Sequence, residues 1–469
     1  MLFSSIIFLF SFLPLTLAVY YLIPARFTSA RNITLLSASL IFYSWGEPIY
    51  VFLLIYSSFL NYFMGLQIGT HKGKGLHLKA QRDLIFTIVM NLFILCFFKY
   101  FGFLMDNINA LLGTEIHYSA LSLPIGISFY TFQALSYIID VYRGKVLHQY
   151  SWLDFTLYIS LFPQLIAGPI VKYKDIQDQL EKRSVDLNLF GEGAARFIFG
   201  LGKKTLLANN LGALYSYILN LGTGDITVLT YWIGIIAYTL QIYFDFSGYS
   251  DMAIGLGKMF GFRFPENFNY PYISKSITEF WRRWHISLST WFRDYLYIPL
   301  GGNRVPVYRH IVNLLIVWYL TGLWHGASWN FVIWGMYYGI VLILEKYMYG
   351  SRLEKSPILF RHIYSIVIVV IGWVFFSIEN ISQANRYIGV MFGAGAYGFA
   401  NITTLYILRT HLILIILSCL LATPLPMSML RKVNREHKFI GIIVLFGIFT
   451  FSIAYLVFNS YNPFLYFRF

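Results

Sequence analysis

The chain has 469 residues, 58% of them hydrophobic and only 12% charged, with a formal net charge of +14. A soluble domain of this size would carry about a quarter charged residues, so an ordinary water-soluble globule is excluded. The basic excess sits in short clusters between apolar runs, which points to membrane topology and anionic lipid and not to nucleic acid.

Apolar segments recur near 2–24, 32–45, 47–67, 83–103, 123–139, 151–171, 192–220, 226–246, 308–325, 327–345, 360–378, 403–424 and 437–458. Several are too short, or too interrupted by Gly and Pro, to cross fully. A span needs about 20 residues, so the sequence predicts about ten to twelve true spans. No repeat of fixed period and no low-complexity linker divides the chain, and residues 1–469 read as one membrane domain. The opening run from Leu2 to Pro24 lacks a basic flank and a small-residue cleavage site. It reads as a retained first span and not as a removed signal peptide.

Loop charge gives an orientation. Lys72, Lys74, Lys79 and Arg82 cluster between two apolar runs, as do Arg431, Lys432, Arg435 and Lys438. Both clusters read as cytoplasmic, whereas the neutral-to-acidic stretch from Asp106 to His117 reads as outside. The N-terminus and the segment after the last span then also lie outside. Pro163 and the Gly168-Pro169 pair are expected to break a helix. Cys96 and Cys419 lie inside apolar runs and suggest neither a disulfide framework nor a metal site. Aromatics reach 20%, enough for interfacial belts and for lining a buried cavity.

The stretch from about Gly248 to Arg309 is the least membrane-like. It holds Pro265, Pro271, Pro299, Gly301 and Gly302, with polar residues mixed among Trp and Phe. Irregular backbone at membrane depth is tolerated only inside protein or along a wet cavity. Short amphipathic, partly re-entrant helices are expected here. Within it, Trp281, His285, Ser289 and Phe292 are spaced to share one helical face. A histidine between tryptophans is desolvated, which favours its neutral form. The same pattern also fits an interfacial helix, with Trp as belt and Arg282 and Arg293 reaching headgroups.

His325 follows a nearly apolar run, Ile311 to Leu320. An ionisable residue inside a span is costly and marks a functional site by default. Gly322 and Gly326 are four apart, a pattern that lets a helix or a substrate approach closely. The imidazole there can take a proton from a hydroxyl or return one to a leaving thiolate. The competing reading is a histidine bonded across helices for packing. Gln133, Asp140, Gln164, Gln241, Asp245 and Asp251 are further polar residues in apolar surroundings, each read first as structural. The segment 461–469, Tyr-Asn-Pro-Phe-Leu-Tyr-Phe-Arg-Phe, is too aromatic for a disordered tail. It reads either as an interfacial anchor or as a segment that tucks back to present Tyr466, whose phenol needs a base for activation.

Four motifs carry a resemblance. They are Pro265-Glu266-Asn267-Phe268-Asn269-Tyr270-Pro271-Tyr272, Ile277 to Ser289, Tyr297-Ile298-Pro299-Leu300-Gly301-Gly302-Asn303-Arg304, and Leu323-Trp324-His325-Gly326. Upstream, Phe162-Pro163-Gln164 and Ala167-Gly168-Pro169-Ile170 belong with them. Together they resemble the membrane-bound O-acyltransferase family over essentially the whole chain, nearest its alginate O-acetyltransferase branch. The resemblance implies an all-α polytopic fold with short re-entrant helices around a central cavity, in a bacterial inner membrane. It places the core motifs within 248–345 and the two family histidines at His285 and His325, with His325 in the catalytic position. It makes 461–469 an acyl-relay motif, with Tyr466 as acyl carrier. It further implies acetyl-CoA as the acyl donor, an extracytoplasmic serine-hydrolase-like partner, and a polysaccharide such as alginate as acceptor. Thioester to aryl ester to alkyl ester needs a base and an aligned hydroxyl but no metal. The alternatives are D-alanyl or other acyl transfer to cell-wall polymers, a transporter, and a non-enzymatic scaffold.

Overall fold

In hydrocarbon every backbone polar group must be bonded internally, and a helix meets that demand within one segment. The computed structural model describes all residues except 120, 167, 460, 461, 464 and 466–469, and the described residues form helices, turns and irregular segments with no strand. Among the described residues, six helices are long and apolar enough to cross a membrane: Tyr50–Gly73, His77–Leu112, Trp329–Lys355, Ile358–Ser377, Ile402–Leu421 and Phe439–Phe458. The other apolar runs of the sequence fold as helices that are shorter, broken or more polar.

The chain divides into two compact units, one of residues 1–197 with 249–266 and one of residues 198–248 with 267–469. The first unit begins with α1 (Leu13–Leu22), α2 (Thr28–Ser44), α3 (Tyr50–Gly73), α4 (His77–Leu112) and α5 (Ile127–Arg143). It continues with α6 (Trp152–Ser160), α7 (Phe162–Leu165), α8 (Tyr173–Glu181) and the start of α9 (Leu187–Gly202). Its longest helix, α4, buries mostly polar residues and turns apolar ones outward. On α4, Asp83, Thr87, Asn91 and Lys99 are buried while Ile85, Phe86, Val89 and Phe93 are exposed. Asn61 of α3 and Asn91 of α4 exchange amide hydrogen bonds at 3.0 and 2.9 Å, the interhelical bonding that replaces hydrophobic drive in lipid. The expected break is present: α6 stops at Ser160, and α7 is a single turn with Pro163 near its start. Ala167 of that motif lies outside the described residues.

The second unit holds α10 (Asn209–Leu219), most of α11 (Val228–Met259), α12 (Ile277–Arg283), α13 (Ile286–Phe292), α14 (Val307–His325) and α15 (Trp329–Leu344). It ends with α16 (Gly350–Lys355), α17 (Ile358–Ser377), α18 (Ile381–Met391), α19 (Ile402–Leu421), α20 (Leu425–Glu436) and α21 (Lys438–Phe458). α14 and α15 form a tight hairpin. A Cβ at Gly322 would run into the Phe331 carbonyl, and one at Gly326 would run into the Phe331 ring. The glycine pair therefore serves helix approach.

The middle stretch is indeed a set of short, largely buried helices, with one departure from expectation. Trp281 and His285 do not share a continuous helix, because α12 ends at Arg283 and α13 starts at Ile286. His285 stands at the break with φ of 44°, a left-handed conformation rare for a non-glycine residue. Backbone bonds hold the break: Asn269 N–H donates to Arg283 O and Ile286 N–H to Asn267 O, both at 2.9 Å. The face is partly restored, since the Ser289 hydroxyl still reaches the Trp281 carbonyl at 3.2 Å.

Candidate active site

His325 is the last residue of α14 and is 4% exposed. Its ring is enclosed edge-on by Trp324 and Trp334 at 5.0 Å and by Phe376 at 5.4 Å, drawn from α14, α15 and α17. Edge-to-face packing suits the quadrupoles of these rings and fixes their orientation. His285 is 1% exposed and packs against Phe246 of α11 at 4.7 Å and Trp324 at 6.0 Å. Trp324 thus touches both imidazoles. The two histidines, forty residues apart in sequence, belong to one aromatic cluster.

The hydrogen bonds around His285 define its tautomer. Asn267 Oδ1 faces Ser287 N at 3.2 Å, Ser287 Oγ at 2.9 Å and His285 Nδ1 at 3.1 Å. A backbone N–H can only donate, so the atom facing it is the amide oxygen and not the amide nitrogen. That oxygen can only accept, so His285 Nδ1 carries the proton. The lone pair is then on Nε2. His285 lies outside the six long apolar helices, and burial pushes its pKa down to about 3. It is a neutral imidazole with one nitrogen committed to Asn267.

α12 is anchored from a neighbouring helix. The Glu345 carboxylate accepts from Ile277 N at 2.6 Å, Thr278 N at 2.9 Å and Thr278 Oγ1 at 2.7 Å. The Tyr364 hydroxyl donates to the same carboxylate at 3.0 Å. A buried charge with four donors is satisfied, and it fixes where the helix carrying Trp281 begins.

The six other polar residues of the sequence reading are distributed over both units. In the first, Arg196 joins Asp251 at 2.8 Å and Glu266 at 2.5 Å, Asp140 faces Lys145 at 3.9 Å, and Gln164 donates to Tyr158 O at 2.5 Å. Gln133 is buried in the same unit. Gln241 and Asp245 are buried in the second. Tyr466 lies outside the described residues. Sequence reasoning passed over Asn267, Glu345 and Lys204. Glu345 and Lys204 had a legible signal, since each is a charge set within or against an apolar run. Asn267 had none beyond its motif, because an amide in a loop is ordinary.

A helical, multi-pass chain with two imidazoles buried in one aromatic cluster defines a membrane-embedded enzyme. The profile of the membrane-bound O-acyltransferase family matches residues 75–384. The chain belongs to that family: it is an O-acyltransferase of the bacterial inner membrane. It is 41% identical to a protein of Azotobacter vinelandii described as a probable alginate O-acetylase, over 100% of both chains. A protein of Pseudomonas syringae with the same description is 47% identical, over 86% of this chain and 77% of the relative. A peptidoglycan O-acetyltransferase of Helicobacter pylori is 34% identical, over 86% of this chain and 82% of the relative.

Proposed function

We propose that the chain moves an acetyl group from a cytoplasmic thioester donor, acetyl-CoA, across the membrane for O-acetylation of an extracytoplasmic polysaccharide such as alginate. Relatives named for alginate and peptidoglycan O-acetylation, at full or nearly full length, support a glycan acceptor. Matches to teichoic acid D-alanyltransferases are shorter, at 46% of this chain for the Bacillus subtilis protein, which supports acetyl over D-alanyl transfer. The observation that carries the reading is His325, an imidazole enclosed by aromatic rings at the end of an apolar helix and coupled through Trp324 to a second histidine.

In the first half-reaction His325 accepts the proton of the Tyr466 phenol as its oxygen attacks the thioester carbonyl. The C–O bond forms, the C–S bond breaks, and the proton leaves with the thiolate. The aryl ester then passes its acetyl group to an extracytoplasmic partner of serine-hydrolase type, which esterifies the polymer. His285, neutral with its proton on Nδ1, belongs to the same aromatic cluster and supports the same centre across Trp324. A buried, low-dielectric aromatic surround strengthens every electrostatic contact made there.

The test is polymer acetylation in cells producing single variants. Tyr466→Phe and His325→Ala are each expected to abolish acetylation while the protein still purifies as a monodisperse species. Full acetylation by the first variant would remove the phenol from the relay. Unchanged acetylation by the second would remove His325 from the chemistry.

A further inference from the structure

Lys204 and Asp245 form an ion pair at 2.6 Å with side chains only 2% and 3% exposed, and neither takes part in the histidine cluster. A buried ion pair is weak evidence for stability, since an apolar pair of similar volume often serves as well. What sets this pair apart is a second load on each partner. The Lys204 ammonium also donates to the backbone carbonyl of Pro463. Asp245 Oδ2 accepts the backbone N–H of Leu465 at 2.9 Å. Nearby, Asn209 donates its amide to Asn462 Oδ1 at 3.3 Å.

The polarity is matched group by group. A carbonyl, which only accepts, meets the cation, and an N–H, which only donates, meets the anion. Bonds to backbone fix register without reading side chains. Lys204 sits in a single π-helical turn, Lys203–Ala208, a distortion often found at functional sites. The helix that leads into this segment is secured against the same turn. Thr205 bonds Ser452 of α21 at 3.0 Å, and a Cβ at Gly202 would meet Ile448 of α21 at 2.6 Å. Asp245 is the chain neighbour of Phe246, whose ring packs on His285 at 4.7 Å. The pair therefore bonds the backbone at Pro463 and Leu465, and Asp245 is one residue along α11 from a ring that packs on His285.

We propose that Lys204 and Asp245 are positioning residues that clamp the backbone at Pro463 and Leu465, and that acetyl transfer depends on this clamp. This rests on the reading of Tyr466 as acyl carrier. An ion pair that only stabilised the bundle would tolerate exchange of its partners. A clamp would not, since exchange sets a carboxylate against the Pro463 carbonyl and an ammonium against the Leu465 N–H.

The experiment uses the full chain in membranes, with Cys96 and Cys419 replaced by Ala and Leu465→Cys introduced, which keeps the backbone N–H. The readouts are the labelling rate of that cysteine by a water-soluble maleimide, monodispersity after extraction, and polymer acetylation. The double exchange Lys204→Asp with Asp245→Lys is expected to remain monodisperse, to label roughly tenfold faster or more, and to lose acetylation; the factor is that of one lost charge-assisted hydrogen bond. Unchanged labelling overturns the clamp, whatever the acetylation. Faster labelling with acetylation retained overturns its part in transfer. If the double exchange does not fold, Asp245→Ala is read by the same labelling rate, with the same overturning result. Tyr466→Phe in this background separates the two ideas: retained acetylation with slow labelling defeats the phenol relay and leaves the clamp standing.

Discussion

Ser287 has one backbone donor, and that donor settles the chemistry of its neighbours, because it forces the Asn267 oxygen inward and so places the proton on His285 Nδ1. Truncating Asn267 to Ala leaves three buried donors without their acceptor, at about 1–3 kcal/mol for each. The informative variant is Asn267→Asp, which keeps the acceptor and adds a negative charge. The charge favours imidazolium and raises the His285 pKa from its low native value. A raised pKa means that the neutral form is lost as pH falls through the new value. Acetyl transfer by Asn267→Asp is therefore expected to fall on the acid side at higher pH than in the native chain, whose His285 stays neutral down to about 3. Superimposable pH profiles, read with extracted enzyme and a soluble acyl acceptor, would deny Asn267 this control. His285 could be picked out in the sequence from its tryptophan flanks. Its tautomer could not, since the deciding donor is a backbone group placed only by the break between α12 and α13.

At the scale of elements, the α14–α15 hairpin shows what a pair of glycines does in a membrane protein. Gly322 lies 3.4 Å from Gly335 Cα once given a Cβ, and a Cβ at Gly335 would in turn strike the Trp318 carbonyl. Helix backbones meet here without side chains between them, the packing that small residues allow in lipid. Gly322→Val forces the helices apart at a point one turn before His325. Overpacking of this kind costs about 1–3 kcal/mol. The expected outcome is a lower Tm for the extracted protein and loss of acetylation, whereas Val at Gly222, with open space around it, leaves both unchanged. A native Tm for Gly322→Val would mean that the hairpin has slack. The spacing of Gly322 and Gly326 revealed a close approach but not which neighbour makes it. Only the packed hairpin assigns the approach to α15.

At the scale of the whole molecule, the long apolar helices and the basic clusters give the chain its arrangement. α4 has 36 residues, so at about 1.5 Å per residue it exceeds the hydrocarbon thickness, and its ends fall on opposite sides. Lys74, in the turn before α4, is expected on the cytoplasmic side, and Glu115, just after α4, outside. With Cys96 and Cys419 replaced, Glu115→Cys should label with an impermeant maleimide in spheroplasts, and Lys74→Cys only after permeabilisation. The reverse pattern would invert the orientation. The sequence by itself determined the membrane class, the helical build and the two histidines, because hydropathy and the cost of a buried ionisable group are local properties of the chain. The tertiary structure decided what surrounds those histidines and which distant segments are tied together. Asn267 at its hydrogen bond, Trp324 between the two rings, Glu345 at the start of α12 and the Lys204–Asp245 pair at Pro463 and Leu465 all depend on contacts between distant segments, and such contacts leave no periodic trace in sequence.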